Sequence, residues 1–459
     1  MTPPVVIGGG FAGLAAGVEL AARGLKPLVL EGRPHLGGRA YSFTDAATGE
    51  RVDNGQHAMM GCYTHTLGFL ARIGATDKLV RQPNLRVAMA HRQRGVGVIA
   101  GAALPSPLHM AVGVLGYRLL RRRERVAALR AGLQILRMYR RRDPELAERT
   151  VAELLASLGQ SPDAQAAFWN PVAIATLNET PDRAAALPFA AVLAQAFFGS
   201  RRDAQFVLPG VDLSALYTDD AQRFIEERGG RVVTHATIVG LDIADERVTG
   251  VRLRDGQCLA ASACVASVPP RALALLLPAA LQHAGALRGL DDFGSSPIVS
   301  IHLWLDRHVL DEDFLGCVGT TTQWLFNRSA LQAASDGSGQ RLSAVISAGR
   351  AVVEWPSEHI VATVVDDIRA LVPAARAAQV LRSVVVKEKS ATIANTPLVE
   401  RRRPPADTAL TNLFLAGDWT ATGLPPTIES AVLSGERAAH LLVARAAADS
   451  RVLTATTTP

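Results

Sequence analysis

Asp53, Asn54, Gln56 and His57 fall within five positions of one another, in a stretch that turns apolar at Ala58-Met59-Met60. A histidine has an unperturbed pKa of about 6.5, so it can give or take a proton near neutral pH. Gln56 offers both a hydrogen-bond donor and an acceptor. Gly55 has no Cβ, which lets the backbone come close to a flat ring or a substrate. The plainer reading is that His57 bonds its own backbone and Asp53 braces its own loop. Which reading holds depends on what the rest of the chain brings to this segment.

A second group of residues stands upstream. The apolar run Val5-Val6-Ile7 enters Gly8-Gly9-Gly10-Phe11-Ala12-Gly13, which supplies G-x-G-x-x-G at Gly8, Gly10 and Gly13. An alanine-rich helix is predicted from Leu14 to Arg23, Gly24 ends it, and a second strand from Pro27 to Leu30 delivers Glu31. Glycines let such a turn close against a pyrophosphate at a helix N-terminus, and an acid about twenty residues on can accept from a ribose. The motif alone is weak, because glycines also mark ordinary turns. Strand, helix, strand and acid in register point to a dinucleotide. No second copy of the motif follows a strand, so a separate nicotinamide domain is not expected and the electron donor stays open.

Leu36-Gly37-Gly38-Arg39 and the C-terminal Leu413 to Ala439, with Gly417-Asp418 closing a turn before a helix from Ile428 to Leu442, resemble the flavin-dependent amine oxidase and carotenoid desaturase superfamily. The resemblance implies FAD held by Gly8, Gly10, Ala12, Gly13, Glu31, Gly38, Arg39, Gly55, Gln56, Ile238, Gly417, Asp418 and Ile428. It also implies that the segment after Arg39 passes beside the flavin, which makes His57 and Gln56 the candidate catalytic residues. Four further stretches are similar to the squalene-associated FAD-dependent desaturases, the hydroxysqualene dehydroxylase family: Asp53 to Tyr63, Phe168 to Pro181, Glu388 to Pro397 and Gly417 to Val432. That family implies reduction of hydroxysqualene, a long apolar isoprenoid, to squalene. Nothing similar is apparent between Arg81 and Glu148.

Amine oxidases carry a lysine on a substrate-domain strand. This chain has no lysine between Lys78 and Lys387, and Pro297 to Asp306 offers Ser300 and His302 in its place. This departure counts against amine oxidation. Carotenoid (phytoene-type) desaturation is the rival reading, and a prenyl-lipid carrier of the same fold is the non-enzymatic one. A carrier has no need of Glu31, Gly38, Arg39 and Asp418 together.

The elements that position these residues follow. The expected fold is α/β: a Rossmann-like FAD-binding domain of the amine-oxidase (GR2) type, with a discontinuous mixed α+β substrate domain. The FAD-binding domain should comprise 1–60, 205–275 and 405–445. Short strand-like pieces from Gly229 to Pro270 suit a meander over the adenosine side. The substrate domain should combine a helical part, 61–204, with a sheet, 276–404, whose clearest strands lie at Ser296 to Asp306 and Arg382 to Ile393. The C-terminal tail, 446–459, is read as disordered from Thr454. Trp169, Phe197, Phe198, Trp304, Trp324 and Trp419 could line an apolar tunnel or simply pack the core. Asn178 reads as a turn cap, Lys387 as a surface residue, and His302 and His308 as ordinary strand or surface residues.

The chain has 459 residues, 48% hydrophobic and 20% charged, which is globular composition with room for more than one domain. Lys+Arg exceed Asp+Glu by 48 − 42 = 6. Much of that excess lies in the arginine-rich stretch Arg118 to Arg142. With the apolar Pro107 to Tyr117 before it, this region, 107–142, suits an anionic membrane surface or a solvated helix on the substrate domain. No nucleic-acid motif accompanies the charge. The four cysteines, Cys62, Cys258, Cys264 and Cys317, have neither disulfide nor metal spacing, so reduced thiols and no metal are expected. With the glycine motif at the very start, no signal peptide is expected. The expected location is cytoplasmic, at the inner face of the cytoplasmic membrane if the basic stretch binds there.

Overall fold

The computed structural model describes residues 2–282, 285–332 and 339–456, with side chains through residue 448. Its central element on the cofactor side is a five-stranded parallel sheet in the order Arg231–Val233, Leu28–Leu30, Val5–Ile7, Cys264–Ala266, Leu413–Leu415. Apart from the half-exposed edge strand Arg231–Val233, the strands are short apolar runs buried on both faces, as a parallel sheet covered by helices requires. Two helices, Phe11–Ala22 and Ile428–Thr456, pack against each other beside it. They approach closely because position 435 is glycine: a Cβ there would stand 2.1 Å from the Ala12 carbonyl oxygen.

The meander is a three-stranded antiparallel sheet, Ile238–Ala244, Arg247–Leu253 and Cys258–Ala260. The flanking pieces from the same stretch, Arg231–Val233 and Cys264–Ala266, join the parallel sheet instead. The last helix runs on from Ile428 to Thr456, so the expected disordered tail is helical through Thr456. Thr457 to Pro459 lie outside the described residues.

On the other side lies a seven-stranded mixed sheet, in the order Val380–Ile393, Ser295–Leu305, Gln340–Ile346, Trp324–Asn327, Phe314–Val318, Arg86–His91, Gly95–Ala100. Its last two strands come from the stretch 61–204 that was expected to be helical. Arg86–His91 alternates a buried Val87 and Met89 with Ala88 and Ala90 facing a second core, and the sheet docks it parallel to Phe314–Val318. Helices from Leu108 to Phe197 cover one face of this sheet, and Ser357–Leu371 covers the other.

The candidate active site

A cavity of about 670 Å³ opens between the two sheets, within the size range of small-molecule sites. One end is polar and glycine-lined, with Gly8, Gly10, Ala12, Glu31, Gly38, Arg39, Gly417, Asp418 and Ile428 in its wall. The other end is apolar and aromatic. Gln56, His57 and Ala58 lie in the same wall.

The polar end has the build of a dinucleotide cradle. Gly8 adopts φ +104°, and a Cβ at Gly13 would stand 1.9 Å from the Gly8 carbonyl oxygen, so the turn closes only with glycine at both. Helix Phe11–Ala22 starts at Gly10 with no capping side chain and no acid in its first turn, which leaves its N–H groups turned toward the cavity end for an anion. Glu31 accepts from Gly9 N–H at 2.7 Å and from Arg33 N–H at 2.9 Å. Its carboxylate therefore ties the glycine turn to the second strand and keeps lone pairs for a ribose. Tyr217 Oη lies 2.9 Å and 3.0 Å from the carbonyl oxygens of Gly37 and Ala40, which fixes the turn carrying Arg39. Arg39 meets Asp418 at 2.5 Å. These residues fit FAD. Gly13, Gly55 and Ile238 are off the cavity wall: Gly13 is beneath the turn, Gly55 lies over Ser300, and Ile238 packs into the core under the meander.

His57 Nδ1 lies 3.0 Å from the Gly55 carbonyl oxygen. A neutral ring therefore carries its hydrogen on Nδ1 and leaves Nε2 as an acceptor. Burial drives the His57 pKa below its ordinary value, against the Gly55 carbonyl and Asp53, and Arg39 adds to the fall. Gln56 donates to the His57 carbonyl at 3.1 Å and accepts from Arg328 at 2.7 Å. Asp53 is off the cavity and braces the segment: it accepts from Ser42 Oγ, from Leu213 N–H and from Arg328.

At the apolar end Trp169, Phe197, Phe198 and Trp324 line the wall, and Trp419 does so near Asp418. Trp304 does not. It lies six residues beyond Ile298 on the same strand, roughly 20 Å on, where its Nε1 donates to Glu50. Rings not singled out in the sequence complete the wall: Phe206, Phe314 and Phe326, with Phe314 4.8 Å, 6.1 Å and 5.9 Å from Phe206, Trp324 and Phe326. Strand alternation in Phe314–Val318 and Trp324–Asn327 was the available signal. Lys387 pairs with Val299 and donates to the Trp355 carbonyl, and it is Glu388, opposite Ile298, that reaches the cavity. Glu388 accepts from Asn54 at 3.3 Å. Asn178 is the left-handed C-cap of helix Asn170–Leu177, and its amide joins Ser296, Thr392 and Ala348. His302 is a buried strand residue bonded to Ser343, while His308 is exposed and pairs with Asp311.

A Rossmann-type cradle opening onto an apolar chamber is the architecture of a flavin-dependent oxidoreductase. The family of flavin containing amine oxidoreductases matches residues 11–443, and the chain belongs to it. It is an FAD-dependent oxidoreductase, which removes the carrier reading. Among curated relatives, hydroxysqualene dehydroxylase of Sinorhizobium fredii is 29% identical over 95% of this chain and 97% of its own. The 15-cis-phytoene desaturase of Synechococcus elongatus is 24% identical over 96% of this chain and 95% of its own. Among solved structures, an oxidoreductase from Methanosarcina mazei superposes with a TM-score of 0.74 at 16% identity, covering 95% of this chain and 99% of that one. Cyclohexylamine oxidase from Brevibacterium oxydans gives 0.68 at 15%, covering 97% and 99%. These two likenesses concern the fold.

Proposed function

We propose that the protein reduces hydroxysqualene to squalene. The observation that carries this reading is the cavity itself: the FAD cradle runs without a break into an aromatic chamber, and Gln56 and His57 stand in its wall. The 29% identity to a hydroxysqualene dehydroxylase along nearly the whole chain supports it.

Hydroxide is a poor leaving group, so the allylic C–O bond breaks only as a proton reaches the oxygen. His57 in its imidazolium form gives that proton through Nε2, while Nδ1–H stays on the Gly55 carbonyl. Water leaves, and an allylic cation remains on the chain. The faces of Phe206, Phe314, Trp324 and Phe326 suit that cation electrostatically, and the apolar wall keeps other nucleophiles out. Reduced FAD, when bound, supplies the hydride that completes the carbon. Two electrons from a donor of unassigned identity must then restore the cofactor.

The chamber's far wall is built by helices Leu108–Gly116 and Arg122–Arg140, and Leu108, Ala111, Leu129 and Leu133 belong to it. On the same two helices and the loop before them, Leu104, Leu108, Val112, Leu115, Val126 and Leu133 are 40–53% exposed. Leu108, Val112 and Leu115 share one helix face. Among the described residues no helix is long and apolar enough to cross a membrane. An exposed apolar face beside arginines, at the wall of a cavity for a water-insoluble chain, supports peripheral seating on an anionic bilayer at the cytoplasmic side. Desaturation of a phytoene-type polyene is the second reading, favoured by the Synechococcus relative and by the same apolar chamber. Product analysis separates the two: squalene formed from hydroxysqualene by the reduced protein supports the first, and polyene oxidised by the FAD-loaded protein supports the second.

A further inference from the structure

Arg328 is remote in sequence from every motif of the site, yet its guanidinium lies behind the cavity wall and bonds a residue of that wall. Nη2 donates to Asp53 Oδ2 at 2.7 Å and Nη1 to Gln56 Oε1 at 2.7 Å, and the side chain is buried. Both ends of this clamp are anchored. Asp53 Oδ1 is held by Ser42 Oγ at 2.7 Å and by Leu213 N–H at 2.9 Å. Asn327, just before Arg328, accepts from Ala330 N–H and donates to the Leu310 carbonyl.

The consequence is a fixed amide. A reversed Gln56 would set its NH₂ against the guanidinium, donor facing donor, so Oε1 stays on Arg328 and Nε2 points away. One Nε2 hydrogen goes to the His57 carbonyl at 3.1 Å. The other remains on a residue that lines the cavity. A cation on the carbonyl end strengthens the amide as a donor at its nitrogen end.

We propose that Arg328 is a positioning residue that aims the second Gln56 N–H at the hydroxyl oxygen of the substrate, and that this pair lets the cavity tell the hydroxylated chain from the hydrocarbon. The proposal rests on the substrate reading above. It implies that squalene, which offers no acceptor, leaves a donor unpaired and is held less tightly than hydroxysqualene.

The oxidised, FAD-loaded protein can bind both molecules without turnover, and quenching of tryptophan fluorescence reports binding because Trp169 and Trp324 line the cavity. Wild type should bind hydroxysqualene roughly tenfold more tightly than squalene. Gln56→Leu leaves the Arg328–Asp53 pair in place and should bring that ratio to about one, with squalene affinity kept. Arg328→Lys keeps a cation for Asp53 but lacks the two-pronged reach. It should lower the ratio similarly, and the double variant should lower it no further. A merely structural Arg328 would weaken both molecules together. Retention of the wild-type ratio in both single variants, losses that multiply in the double variant, or equal binding of the two molecules by wild type would each overturn the proposal while leaving dehydroxylation to its own assay. A wild type that binds neither would remove the substrate reading and this proposal with it.

Discussion

The guanidinium of Arg39 and the carboxylate of Asp418 stand 2.5 Å apart although 379 positions separate them in the chain. Burial works against the charge of Arg39, but Asp418, with Glu388 behind it, outweighs that and holds its pKa above the ordinary value. The pair joins the turn after the second strand to the turn before the last helix, so each half of the FAD cradle is held by the other. Asp418→Asn should cost about 2 kcal/mol of stability, less than a fully buried pair because Arg39 is one-third exposed. FAD affinity should fall as well. Thermal melts with and without added FAD check both.

His57 should set the acid limb of the reaction. Its lowered pKa keeps the ring neutral at pH 7 and makes the imidazolium a scarce but stronger acid. The single-turnover rate should therefore rise as pH falls and level off only below pH 6.5. His57→Ala should keep FAD and lose ~10²–10⁴-fold in rate, with that pH dependence gone. Rapid-mixing measurements across pH, on wild type and variant, read both.

His302 should make the fold acid-sensitive. Burial, helped by Arg328 and opposed by Asp53, pushes its pKa down to about 4 from 6.5. The unfolded chain therefore binds the proton more readily than the folded one. The stability linked to neutral His302 is complete above pH 6.5 and is lost as pH falls toward 4, about 3 kcal/mol in all. His302→Asn cannot titrate, so its melting temperature should fall less steeply over that interval. Calorimetry of the two proteins at stepped pH decides.

Membrane seating should depend on both apolar contact and charge. Leu108→Asp with Leu115→Asp should abolish flotation with anionic vesicles, and raised salt should weaken wild-type binding, since screening acts over about 10 Å at 0.1 M. Flotation indifferent to salt, to lipid charge and to the two aspartates would contradict the assignment.

The cofactor half of the site was legible because its residues are adjacent in sequence or sit in turn motifs with a physical reason for each glycine. Glu31 and Asp418 announced themselves by what stands before them. The substrate half was not. Arg328 reaches Asp53 and Gln56 only because the end of an interior strand, Trp324–Asn327, carries it there, and nothing in Asn327-Arg328-Ser329 signals that. Trp304 could not be told from the cavity aromatics because a strand face continues past the end of the cavity, and sequence alternation does not say where the cavity stops. Arg86–His91 went unread as a strand because the large sheet supplies its partner, Phe314–Val318, from more than two hundred residues on, and Gly95–Ala100, which pairs only with Arg86–His91, went unread with it.

The proposed function has reduced FAD delivering its electrons to hydroxysqualene. The most direct measurement is a single turnover: photoreduced protein mixed anaerobically with hydroxysqualene, with flavin absorbance followed and the lipid extracted afterwards. The oxidised flavin spectrum should return, with one squalene formed per flavin. Flavin that stays reduced with hydroxysqualene present, while a phytoene-type polyene bleaches the oxidised protein, would contradict that function.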